Sequence, residues 1–134
     1  MTPAAELRAA ADRLRDLAER AIHEDRPQWN TGHTLGSRSP VVIDHAETPS
    51  VLIESYAARL EAVNRYVAAM DPALGLALAN WLDAAAHYYE AGVAAADDVF
   101  RDDPAGRARF LATGPGAPSP HAIAVARQIL RSTT

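Results

Sequence analysis

The chain has no cysteine, no lysine and only eight aromatic residues among 134. Without cysteine there are no disulfides and no thiolate metal sites, and nothing favours an oxidising compartment. No apolar run approaches the ~20 residues of a membrane-spanning helix, and the N-terminus lacks the apolar region of a signal peptide. A cytoplasmic protein with no membrane contact is therefore expected. All 13 cations are arginine; GC-rich coding explains this plainly, and a selected arginine surface is the sharper alternative. With aromatics scarce and 30 alanines present, the core is expected to come from closely approaching helices and not from bulky sheet packing. A chain of this length forms one hydrophobic core that removes roughly two-thirds of its unfolded surface from water.

Charge is unevenly spread. Between Val41 and Phe100 nine acids face Arg59 and Arg65, a net of −7, whereas from Arg101 to Thr134 five arginines face two aspartates, a net of +3. An acidic middle argues against a phosphate-tracking surface there, because nucleic-acid affinity rests on cations that release counterions. The asymmetry suits head-to-tail self-association or a basic partner, and a solvated surface accounts for it equally simply.

Thr2-Pro3 reads as a helix N-cap followed by proline at the first helical position. Leu7, Ala10, Ala11, Leu14, Leu17, Ala18 and Ala21 then recur at steps of three and four, forming one apolar stripe. Arg8–Asp12, Arg15–Glu19 and Asp16–Arg20 sit at i,i+4 on the polar faces, and Pro27 is expected to end the helix. Residues 27–40 read as a loop around Trp29. Val41-Val42-Ile43-Asp44 and Val51-Leu52-Ile53-Glu54 read as a small hairpin, although Thr48-Pro49 with Leu52, Tyr56 and Leu60 also fits a helix start, leaving residues 49–56 open between the two. A helix over 57–69 follows. Asp71-Pro72 opens the longest helix, with a stripe of Leu74, Leu78, Leu82, Ala85, Tyr89, Val93, Ala96 and Phe100, and Gly92 is a place for a bend. Asp103-Pro104 and Ser119-Pro120 repeat the cap-and-proline device, predicting a short helix to Ala112, a Gly/Pro linker over 113–118 and a closing helix from Pro120 to Arg131. The fold class is mainly α: a single domain over 1–134, of about five helices, with a short β-hairpin after the first helix inside a loop-and-hairpin segment at 27–55.

Asp83, His87 and Glu90 lie at i, i+4 and i+7 on the longest helix, the placement that helical metal ligands need. At 100° per residue His87 and Glu90 fall within about 40° of Asp83, and the row lies roughly 140° from the apolar stripe. They are expected to face water, and no second His-x-x-Glu or Glu-x-x-His motif supplies ligands from a facing element. His23 with Glu24 and Asp25 closes the first helix, where the dipole favours an imidazolium. His33, His45 and His121 fall in a predicted loop, a turn and a helix start, His45 beside Asp44. The run from Gly32 to Ser39 lacks the spacing and the lysine of a phosphate-binding loop, and no nucleophile elbow is present. Trp29, in its Gly/Pro-rich setting, either anchors the hairpin on the first helix or serves as an aromatic hot spot for a partner; His33 and Arg38 flank it. Trp81, Tyr88 and Tyr66 are expected at the edge of the core.

Pro27-Gln28-Trp29 after an Arg/Ala-rich helix, then a valine-rich segment, then the stretch from Ala62 to Pro72 running into a helix with Trp81-Leu82, is similar to small proteins of actinomycetes and their phages. More distantly it resembles Ea22-type early phage proteins. The resemblance covers about residues 7–86 and implies no catalytic residues. It implies a setting, that of an accessory protein of a phage or prophage.

Three functions follow as expectations. The leading one is a non-enzymatic protein–protein interaction module without a cofactor, binding a protein partner or a second copy of itself through Trp29, His33 and Arg38. The second is a metal-dependent hydrolase built on Asp83, His87 and Glu90. The third is a DNA-binding regulator using Arg107, Arg109, Arg127 and Arg131.

Overall fold

Four helices start where a short polar side chain precedes a proline. In the computed structural model, α1 (Pro3–Ala21), α3 (Pro72–Val99), α4 (Pro104–Ala112) and α5 (Pro120–Arg131) all begin at proline. The caps are formed in each case: Thr2, Asp71, Asp103 and Ser119 accept from the backbone N–H three residues on, at 3.2, 2.9, 3.0 and 3.2 Å. Each bond satisfies one of the donors that a helix start leaves orphaned, and proline at the first position removes another. The structure describes residues 1–33, 40–44, 49–54 and 60–131. A fifth helix, α2 (Leu60–Ala69), and three strands, β1 (Trp29–His33), β2 (Pro40–Asp44) and β3 (Val51–Glu54), complete the described elements. The fold is mainly helical with a minor β part, as the sequence led one to expect.

The β part differs from the expected hairpin by one strand. The sheet is antiparallel in the order β1-β2-β3. Trp29 to His33, expected as loop, pairs with β2 from Trp29↔Asp44 to His33↔Pro40. Its sequence, Trp-Asn-Thr-Gly-His, has little strand propensity; it is held by the ladder to β2, and Gly32 fits there because a Cβ would come within 3.1 Å of Ile43 Cδ1. Val51–Glu54 is a strand and not a helix start; it pairs with β2 across an irregularity between Val42 and Ile43. The helix predicted over 57–69 is seen from Leu60, residues 55–59 lying outside the described residues.

The first helix ends at Ala21, six residues before Pro27. Its exit is a tight turn in which the Arg26 N–H donates to the His23 carbonyl at 3.0 Å and Glu24 and Asp25 both adopt left-handed conformations, φ 49° and 61°. Two successive non-glycine residues there are costly, so the turn needs outside support, described below. Arg20, not His23, is the cation of the last helical turn.

Two compact units divide the chain, one of residues 1–14 with 78–134 and one of residues 15–77. The first is packed through alanine. Ala4, Leu7, Ala10 and Ala11 of α1, Ala79, Leu82 and Ala86 of α3, and Ala122 and Ala126 of α5 form one buried cluster. Small side chains let the backbones approach, so dispersion contacts substitute for bulk. The α3 stripe is therefore centred on Ala79, Leu82 and Ala86; Leu74, expected at its start, is exposed. The second unit buries Val41 and Val42 of β2 with Asn64 and Ala68 of α2, and α2 packs on β1 and β2. The Trp29 N–H donates to the Asp71 carboxylate at 3.1 Å and the Ala73 N–H to the Pro27 carbonyl at 3.0 Å, tying β1 to the start of α3.

Candidate functional site

In the Asp83–His87–Glu90 row, the last residue is engaged by an arginine of α1. His87 and Glu90 are exposed. Both Glu90 carboxylate oxygens accept from the Arg8 guanidinium, one of them at 2.9 Å. Arg8 thus reaches across to α3. The hydrogen bond from Arg8 holds the Glu90 carboxyl below its ordinary range, against the opposing cost of burial, while the same contact raises the guanidinium. A forked arginine pairing of this kind takes one lone pair on each Glu90 oxygen and already neutralises its charge. No group of three or more potential metal ligands converges among the described residues.

Trp29 is half-buried at the start of β1, and its indole N–H is buried without a hydrogen-bond partner among the described residues. His33, four residues on and so on the same face of the strand, is exposed. Arg38 lies outside the described residues, as does His45. Of the arginines considered for DNA, Arg107 donates to Asp97 at 2.7 Å and Arg127 to Glu6 at 2.8 Å. Arg109 and Arg131 are exposed, and Arg131 also has an interaction partner.

One buried ionic group had no counterpart among the sequence candidates. Asp44 is completely buried at the end of β2. It accepts from Arg26 Nε at 2.9 Å and from the Ser50 N–H at 2.7 Å. Burial pushes the carboxyl up, but the Ser50 N–H and the Arg26 guanidinium together outweigh it, leaving the carboxyl below the ordinary range. Arg26 also donates to Glu24 at 2.9 Å. One guanidinium therefore braces the left-handed turn on one side and neutralises the buried aspartate on the other, a structural role that supports the turn.

The feature with the character of a binding site lies in the first unit. Trp81, Ala84, Ala85, Tyr88, Tyr89, Ala91 and Gly92 of α3 form one side of a groove of about 660 Å³; Phe110 of α4 and the Pro115–Ser119 segment form the rest. At 100° per residue Trp81, Tyr88 and Gly92 fall within about 40° of one another, so one helix face supplies the aromatics and the small residues between them. Trp81 is 41% exposed and Tyr88 86%, which corrects the expectation that both sit at the core edge. Tyr66, on α2, is exposed as well. The far side is built tightly. Gly116 is buried, and a Cβ on it would lie 2.2 Å from Phe110 Cε1. A Cβ on Gly92 would lie 3.8 Å from the Gly116 Cα. Glycine at 116 thus lets the 115–119 segment close over the Phe110 ring.

Four of the chain's eight aromatics line this groove, and no charged side chain does. The volume is within the ~300–1,000 Å³ of typical ligand sites. The signal was available in sequence: Trp81 and Tyr88 are seven residues apart on one helix face, with Ala84, Ala85 and Gly92 beside them. No family model, curated protein or solved structure matches the chain.

Proposed function

We propose that the chain is a non-enzymatic protein–protein interaction module and that the Trp81–Tyr88 groove is its binding face. The observation that carries this reading is the concentration of scarce aromatics on an uncharged groove, with Trp81 and Tyr88 left in water. Exposed aromatics of this kind are costly to leave unpartnered and are enriched where partners dock. Trp29, His33 and Arg38 belong to the proposal as a secondary contact region in the other unit. The hydrolase reading is disfavoured by the engagement of both Glu90 oxygens with Arg8. The DNA reading is disfavoured by the pairing of Arg107 with Asp97 and Arg127 with Glu6. A cytoplasmic phage or prophage accessory role is the setting in the proposal, and it rests on the short motif resemblance alone. No described helix is long and apolar enough to cross a membrane.

Affinity capture from the source cells with wild type, Trp81→Ala, Tyr88→Ala and Tyr66→Ala tests the site. A specific partner should be lost with the two groove variants and kept with Tyr66→Ala, an exposed tyrosine of the other unit. Equal capture by all four proteins contradicts the assignment.

A further inference from the structure

We infer that the groove takes an uncharged, proline-rich segment in the extended polyproline II conformation, an inference that rests on the interaction-module reading above. Charge is the first selector. No charged side chain lines the groove, and the Asp83–His87–Glu90 row lies about 150° around α3 from the Trp81–Tyr88 face. A charged side chain entering the groove would be desolvated with no counter-charge to meet it. The complementary ligand is neutral.

Hydrogen bonding is the second selector. A polyproline II strand has no internal hydrogen bonds and presents its carbonyls outward, so its receptor must offer donors beside apolar slots. No hydrogen bond among the described residues engages the Trp81 indole N–H or the Tyr88 hydroxyl. Both residues line the groove, so each has a donor to offer a ligand seated there.

Spacing is the third. Seven residues of α-helix separate Trp81 from Tyr88, about 10.5 Å along the axis. One turn of polyproline II, three residues, advances about 9.3 Å. Prolines at i and i+3 therefore fall close to the two aromatic walls in turn. The wall facing the aromatics is itself apolar, formed by Pro115-Gly116-Ala117-Pro118.

The test is an ¹⁵N-correlation NMR titration of the full chain with end-capped, uncharged peptides. One is an Ala-Pro-Pro repeat. The second has the same length with glycine replacing proline, the third is an amphipathic helical peptide, and free indole is the fourth probe. The Ala-Pro-Pro peptide is expected to give saturable shifts of the Trp81 indole and of Gly92, Phe110 and Gly116, and the glycine peptide none. Tyr88→Ala, at a position too exposed to unsettle the fold, should weaken binding at least tenfold, and Trp81→Ala should do the same. Saturation by the helical peptide or by indole but not by Ala-Pro-Pro overturns the ligand class while leaving the groove as the binding face. Silence of the groove signals towards all four probes overturns both.

Discussion

Replacing Gly116 by alanine should destabilise the first unit, and the size of the effect follows from one contact. Gly116 is not in the left-handed region, so the backbone accepts alanine there; the obstacle is the Phe110 ring, 2.2 Å from the new Cβ at Cε1, 2.6 Å at Cδ1 and 2.9 Å at Cζ. Normal carbon contacts of about 3.5–4.0 Å require the ring to retreat by about 1.3–1.8 Å. That ring packs against Phe100 with centroids 5.5 Å apart and planes inclined by 43°. Overpacking of this kind costs about 1–3 kcal/mol, and disturbing the aromatic pair adds about 0.5–1.5 kcal/mol. The loss of unfolded-state freedom on Gly→Ala returns about 0.4–1 kcal/mol. A net loss of about 0.5–4 kcal/mol is expected, read as a lower urea midpoint by circular dichroism with an unchanged slope. The decisive comparison is a double-mutant cycle with Phe110→Ala. Once the ring is gone the penalty should vanish, and Gly116→Ala should become neutral or slightly stabilising. Equal destabilisation in both backgrounds would refute the clash as the cause.

Leu82→Ala, at the one large residue of the α3 core row, should cost about 2–5 kcal/mol by urea denaturation; a loss below 1 kcal/mol would mean that the alanine-lined interface is not packed as described. Asp103→Ala removes the cap of α4 and should cost about 0.5–2 kcal/mol, with Asp103→Asn close to wild type; equal losses for both would point to charge in place of capping. Asp44→Asn should be less stable than wild type at neutral pH. The folded carboxyl is depressed, so its contribution is full above the unfolded carboxylate pKa, roughly 3.9, and is lost as pH falls through the lower folded value. The two proteins should therefore converge in acid; a constant gap from pH 7 to pH 2 would contradict the ionic role of Asp44.

Helix starts were legible because their signals are local. A cap side chain and a proline lie within three residues of the N–H they serve, as at Asp71 and Leu74, so four beginnings could be read from the order of neighbouring residues alone. The alanine-based packing of the first unit was legible too, in the ratio of alanine to aromatics. What escaped depends on partners far along the chain. The strand at Trp29–His33 exists through its ladder to β2 and not through its own propensity. The early end of α1 depends on Arg26 reaching Asp44, 18 residues away, and Arg8 pairs with a carboxylate 82 residues on. The groove was missed for another reason. Reading the α3 stripe from its largest apolar residues assigns Trp81 and Tyr88 to the core edge, whereas helices that approach through Ala79 and Ala86 leave no room for large rings at the seam and turn them outward.

The most direct test of the groove as the binding face is site-specific photocrosslinking. A photoreactive phenylalanine analogue is placed at position 88, with position 66 as the control, and adducts with the captured partner are mapped by mass spectrometry. Abundant partner adducts from position 88 and background levels from position 66 are the expected result. Adducts from position 66 with none from position 88 would contradict the account.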